Sequence, residues 1–155
     1  MSTAAFKPIE AQDIPVVIRM MEEFYAIDNY PIDTAVSRGL MHEFLENESL
    51  GRGWLILSES GPIGYVIVTF VFSFEYQGRI AFLDELFISS KTRGMGFGKQ
   101  TLDFIHEQAK LLSIKIIYLE IEGHNTVAQK LYLSKNYTIH KRGLMRLVVN
   151  DEKQP

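Results

Sequence analysis

Arg93-Gly94-Met95-Gly96-Phe97-Gly98-Lys99 is the stretch on which the fold turns. Before it runs an apolar, strand-like segment, Ala81-Phe82-Leu83-Asp84-Glu85-Leu86-Phe87-Ile88. After it comes an amphipathic helical pattern with Leu102, Ile105, Ala109 and Leu112. A strand, a glycine-rich turn and a helix start form an arrangement that cradles phosphate. Glycines let the backbone approach a ligand, and the unpaired N–H groups of a first helical turn point at an anion.

Working outward, a short strand is expected around Ala5–Ile9, then a helix over Gln12–Ile27 with Ile14, Val17, Ile18, Met21, Phe24 and Tyr25 at helical spacing. Asn29-Tyr30-Pro31 ends it, because proline disfavours helix in the preceding residue. Asp33 is a candidate cap for a second helix to about Leu45. Strands follow over Trp54–Glu59, Ile63–Glu75 and Ile80–Ile88, with turns at Ser60-Gly61-Pro62 and Gln77-Gly78. Beyond the glycine turn come a helix over Phe97–Leu112, a strand over Lys115–Ile121 and a helix from Asn125 to Ser134. A final pair of strands is expected over Tyr137–His140 and Gly143–Val149. This order gives an α/β class of mixed α+β type: a mostly antiparallel, twisted sheet of about seven strands flanked by four helices.

The 155 residues suit one domain, residues 1–155, with no repeat or linker. The chain has no cysteine, so it forms no disulfide and no thiolate metal site, as fits a reducing, cytoplasmic compartment. No signal peptide and no membrane span are read, since the longest uncharged stretch is broken by Gly61, Pro62 and Gly64. Four histidines (His42, His106, His124, His140) show no ligand spacing, so no metal is expected. The net charge of −3 hides an asymmetry: nine acids against two bases over residues 10–50, ten bases against four acids over residues 91–146. That suggests two surfaces of opposite preference. A nucleic-acid module using the basic half is disfavoured by the net charge and by the lack of interleaved aromatics.

Spacing sorts the phosphate motifs. A Walker A loop would need glycine where Arg93 stands and a hydroxyl after Lys99, where Gln100 stands. The dinucleotide fingerprint fails because its last glycine position holds Lys99. What remains is Arg-x-x-Gly-x-Gly, at Arg93, Gly96 and Gly98, after a strand with paired acids. A second block follows: Tyr118-Leu119-Glu120, then Asn125, then Leu131-Tyr132.

These two blocks, within this element order, resemble the GNAT superfamily of N-acetyltransferases from about residue 4 to 149. The resemblance implies acetyl-CoA as cosubstrate. Main-chain groups of Leu86, Phe87 and Ile88 would pair with the pantetheine arm. The amides of Arg93, Gly94, Met95, Gly96, Phe97, Gly98 and Lys99 would hold the pyrophosphate, and Asn125 and Tyr132 would complete the cofactor side. Tyr132 would be the general acid for the departing thiolate. Asp84 and Glu85 would serve the acceptor as in polyamine-acetylating relatives. On strict alternation only one of these two acids faces the amine, and the sequence leaves open which. The family often has glycine near Asn136, and asparagine tolerates the left-handed conformation that such a helix stop needs.

A primary alkyl amine is about one part in two thousand neutral at pH 7, so a base is needed. Tyr25, Asp28, Tyr30 and Asp33 around the proline turn, joined by Glu75, are the candidate acceptor-binding residues. Acids and aromatics together suit a small cationic amine such as a polyamine or aminoglycoside. The competing readings are a protein or peptide amine as acceptor, or a CoA-binding regulatory domain without catalysis. A homodimer is expected only because dimers are common in the family.

Overall fold

The computed structural model describes residues 2–150. The ends of the expected domain, residue 1 and residues 151–155, lie outside the described residues. The elements are β1 (Ala5–Pro8), α1 (Ile14–Ile27), α2 (Thr34–Glu46), β2 (Gly51–Ser58), β3 (Gly61–Ser73), β4 (Gly78–Ile88), α3 (Phe97–Leu111), β5 (Ile117–Tyr118) and α4 (Thr126–Ser134).

The first helix begins two residues later than its apolar spacing suggested. Ala11–Asp13 form a single 3₁₀ turn, and Pro15, which has no N–H to offer, opens α1. Asp33 caps α2: its carboxylate accepts from the amides of Ala35 at 3.0 Å and Val36 at 3.1 Å.

The sheet has the order β1-β2-β3-β4-β5. Its first four strands are an antiparallel meander, and β5 joins β4 in parallel through the α3 crossover. One face packs on α1 and α2 through Ile14, Val17, Ile18, Met21, Met41, Leu55, Tyr65, Ile67 and Phe87. The other packs on α3 and α4 through Trp54, Val66, Val68, Ala81, Leu83, Leu102 and Ile105.

The described residues form five strands, not about seven. The strand expected over Lys115–Ile121 keeps two ladder residues, Ile117 opposite Ala81 and Tyr118 opposite Phe82. Tyr137–His140 and Gly143–Val149 form no ladder, and Leu144, Met145, Leu147 and Val149 are exposed. A two-stranded hairpin needs a neighbouring edge to be stable, and β5 ends too early to supply one. A concavity of about 610 Å³ lies beside β5 instead, lined by His106, Lys110, Tyr118, Lys135, Tyr137 and His140 among others. It contains none of the residues named as a candidate site.

Candidate active site

The short reach of β5 defines the site. Among the described residues, β4 beyond Phe82 has a strand neighbour only on its β3 side, so Leu83–Ile88 present a free edge that runs into the glycine turn. Leu86, Phe87 and Ile88 lie on this edge. The ring of Phe87 is buried under α1, and the Ile88 carbonyl accepts from Arg93 Nε at 3.1 Å.

The turn owes its shape to Gly94 and Gly96, at φ 78° and 85°. Gly96 is the N-cap of α3 and brings no capping side chain. The first-turn amides of a 15-residue helix are therefore left for another acceptor, at the positive end of its dipole. Met95, Arg93 and Lys99 are exposed around it. Phe97 plays a different part. Its ring is buried with Ile56 and Ile63 and anchors the helix start to the sheet. Gly98 also serves packing: a Cβ there would sit 2.9 Å from Leu131 Cδ2, so its absence lets α4 close on α3.

That contact positions Tyr132, the next residue along α4. Asn125 caps α4 by accepting from the Ala128 amide at 3.0 Å. Seven residues, about two turns, separate the cap from Tyr132. Its ring stacks obliquely on Tyr137 with centroids 5.6 Å apart. Burial alone raises the Tyr132 phenol, so it holds its proton firmly. After α4, Asn136 does take the left-handed conformation, at φ 67°.

The paired acids sit at a β-bulge. Ile67 faces Glu85 and Val68 faces Leu83, which leaves Asp84 as the extra residue. The strict alternation expected for this strand is broken here. Leu83 packs toward α3, while Glu85 turns to the α1 side. There Tyr25 donates to Glu85 at 2.7 Å and Tyr65 donates to it at 2.6 Å. Burial raises the Glu85 carboxyl, the two phenols partly offset this, and the Asp84 charge adds to the rise. Asp84 keeps an exposed edge, yet partial burial and the Glu120 carboxylate raise it as well. Extending the parallel register from Phe82 and Tyr118 by two residues sets Asp84 across from Glu120, where the two strands part.

The other named acids have protein partners. Asp28 meets His124 Nε2 at 3.2 Å, and Tyr30 donates to Glu122, so the α1–α2 turn is tied to the loop before α4. Asp33 is occupied as the α2 cap. Glu75 is away from this group, held by Arg142 at 2.6 and 3.1 Å. Sequence reasoning did not single out Tyr65, Glu120 or Glu122. Only Glu120 left a signal, as the acid of the second motif block. No group of three or more metal-ligating side chains occurs among the described residues, and none of their helices is long and apolar enough to cross a membrane.

Comparison with known proteins agrees with this architecture. An integron cassette protein from the mobile metagenome of Cole Harbour Salt Marsh is 24% identical, with a TM-score of 0.85 over 95% of this chain and 91% of that one. An aminoglycoside N-acetyltransferase in complex with CoA is 11% identical, with a TM-score of 0.80 over 97% of both chains. An aminoglycoside acetyltransferase from an uncultured soil metagenomic sample, in complex with sisomicin, is 14% identical, with a TM-score of 0.75 over 96% of this chain and 97% of that one. No curated protein matches. The model of the acetyltransferase (GNAT) family matches residues 18–136, and the chain belongs to that family of acyl-CoA-dependent acetyltransferases.

Proposed function

We propose that this chain is an N-acetyltransferase that moves the acetyl group of acetyl-CoA directly to a primary amine of a small cationic acceptor, such as a polyamine or aminoglycoside. The observation that carries this reading is the free β4 edge. It leads to an uncapped helix start at one end and, at the other, to carboxylates that meet no cation among the described residues. Leu86, Phe87 and Ile88 offer main-chain groups to an extended pantetheine, as a strand partner would. The amides from Gly94 to Lys99 take the pyrophosphate, with Arg93 and Lys99 adding charge. Phe97 contributes its amide while its ring fixes the turn.

On the acceptor side, Asp84 and Glu120 attract the ammonium and Glu85 takes up its proton. Asp28 and Tyr30 wall the cleft from the α1–α2 turn. Tyr132, protonated, donates to the thiolate as it leaves, and solvent takes the second proton lost by the nitrogen and restores that of Tyr132. The phenol–thiolate difference of about 1.5 pKa units makes that transfer uphill by roughly 2 kcal/mol in water, so it is timed with C–S cleavage. The absence of cysteine and the direct attack dispense with a covalent enzyme intermediate. Aminoglycoside acetyltransferases among proteins of the same fold support a small-molecule acceptor.

The test is release of CoA thiol from acetyl-CoA across polyamines, aminoglycosides, amino acids and peptides. Turnover is expected with polycationic amines. CoA binding without turnover on any amine would leave a regulatory CoA-binding domain, and turnover confined to peptides would make the acceptor a protein.

A further inference from the structure

The two oxygens of Glu85 are held unequally. Oε1 accepts from Tyr65, which is wholly buried among Phe24, Phe87 and the α1 face. Oε2 accepts from Tyr25, a half-buried residue one turn before the α1–α2 turn. One side of the carboxylate is thus sealed by a core phenol. The other is faced by a phenol that is only half-buried, the more accessible of the two. The charged neighbour of this unit is Asp84 on the same strand, and Asp84 in turn feels Glu120, two residues past the end of β5. Among the described residues, no lysine or arginine bears on either Asp84 or Glu85.

We propose that Tyr25 relays the proton of the acceptor ammonium to Glu85, with Tyr65 as the positioning residue that fixes the carboxylate. The relay rests on the amine-acetylating reading above. In the step, an N–H bond of the ammonium breaks and its proton bonds to Tyr25 Oη. The original phenolic proton of Tyr25 passes to Glu85 Oε2. The amine keeps its electron pair, Tyr25 ends neutral and Glu85 ends as the acid. After acetyl transfer Glu85 gives its proton back through Tyr25 to solvent, because the product amide does not take it up. The concerted shift avoids a phenolate, which matters because burial and the Glu85 charge both raise the Tyr25 phenol. The same burial raises Glu85 and narrows its gap to the ammonium.

The experiment compares pH profiles of kcat/KM for the wild type, Tyr25→Phe and Tyr65→Phe, using acetyl-CoA with spermidine and with sisomicin. The wild-type profile should level off above the titration of Glu85. Tyr25→Phe should be about 100-fold slower at pH 7 and keep climbing toward the amine pKa, near 10.4, so that the gap closes to a few-fold. KM for acetyl-CoA should not move. Tyr65→Phe should keep the plateau but shift its onset to higher pH, because the carboxylate loses a stabilising hydrogen bond. NMR of the Glu85 carboxyl carbon in the free proteins should show its titration raised in both variants. Parallel profiles in an active Tyr25→Phe enzyme, or an unchanged Glu85 titration, would overturn the relay alone. Bound CoA with no turnover on any amine would overturn the acceptor reading and the relay with it.

Discussion

At the residue scale, Glu85 concentrates the tension between burial and charge. Its carboxyl is raised in the folded state, so the folded protein binds that proton more tightly than the unfolded chain does. The contribution to stability is therefore full below the unfolded carboxyl value of about 4.3 and is lost as pH rises through the folded value. Each unit of separation is worth about 1.4 kcal/mol. Glu85→Gln removes the ionisation, so the melting-temperature difference between variant and wild type should grow more positive from pH 4 upward and then level. A difference that does not vary with pH would show that Glu85 titrates alike in both states. Tyr132 makes the complementary case. Tyr132→Phe keeps the ring packed on Tyr137 and removes only the hydroxyl, so kcat should fall about 10- to 100-fold while calorimetric CoA affinity stays within about twofold. Gly96→Ala should do the reverse. Its φ of 85° costs an L-residue about 1–2 kcal/mol, so the turn relaxes and CoA affinity should fall about tenfold or more. Unaltered CoA binding in that variant would detach the turn from the phosphate.

At the element scale, the site is made by two strands that part and two helices that start. Helix α4 illustrates how a local rule sets the proposed catalytic position of Tyr132. Asn125→Ala deletes the cap bond to Ala128, which should cost about 1 kcal/mol and lower Tm by about 2–4 °C. Because Tyr132 lies two turns on, kcat should drop with it, whereas an unchanged kcat would show that α4 is fixed by its Gly98–Leu131 contact instead. The elements with strong local signals were legible in the sequence. Periodicity marked α1 and α3, Asp33 and Asn125 marked helix starts, and the glycines marked the turn. Signals that depend on a partner strand were not. Nothing local in Phe82-Leu83-Asp84-Glu85 announces a bulge, because the extra residue exists only relative to Ile67 and Val68. Tyr65 reads as an ordinary strand tyrosine until β3 and β4 are paired and its hydroxyl reaches diagonally to Glu85. The last two expected strands failed for the same reason in reverse: their β-rich residues are real, but no ladder extends beyond Tyr118 to receive them.

At the scale of the whole molecule, the proposed reaction gives the asymmetry of charge a use. The acidic front half carries Tyr25, Asp28 and Tyr30, the proposed acceptor wall, and the basic back half carries the glycine turn with Arg93 and Lys99. The free edge of β4 runs between them, so a polyanionic donor and a polycationic acceptor would approach one cleft from opposite poles. Glu120 and Glu122 depart from this division, being acids carried by the basic half onto the acceptor side. Steering of this kind is screened as the Debye length contracts from about 30 Å at 0.01 M salt to about 8 Å at 0.15 M. Over that range kcat/KM should fall about tenfold for a tri- or tetravalent amine and much less for a monovalent alkylamine, measured at saturating acetyl-CoA. Glu120→Gln should flatten the salt slope for the polyvalent acceptor and leave that of CoA binding unchanged, because its charge acts on Asp84 and not on the glycine turn. Equal slopes for monovalent and polyvalent amines would mean that acceptor selection rests on the contacts of Asp84 and Glu85 alone, and that the opposed halves of the chain serve the donor only.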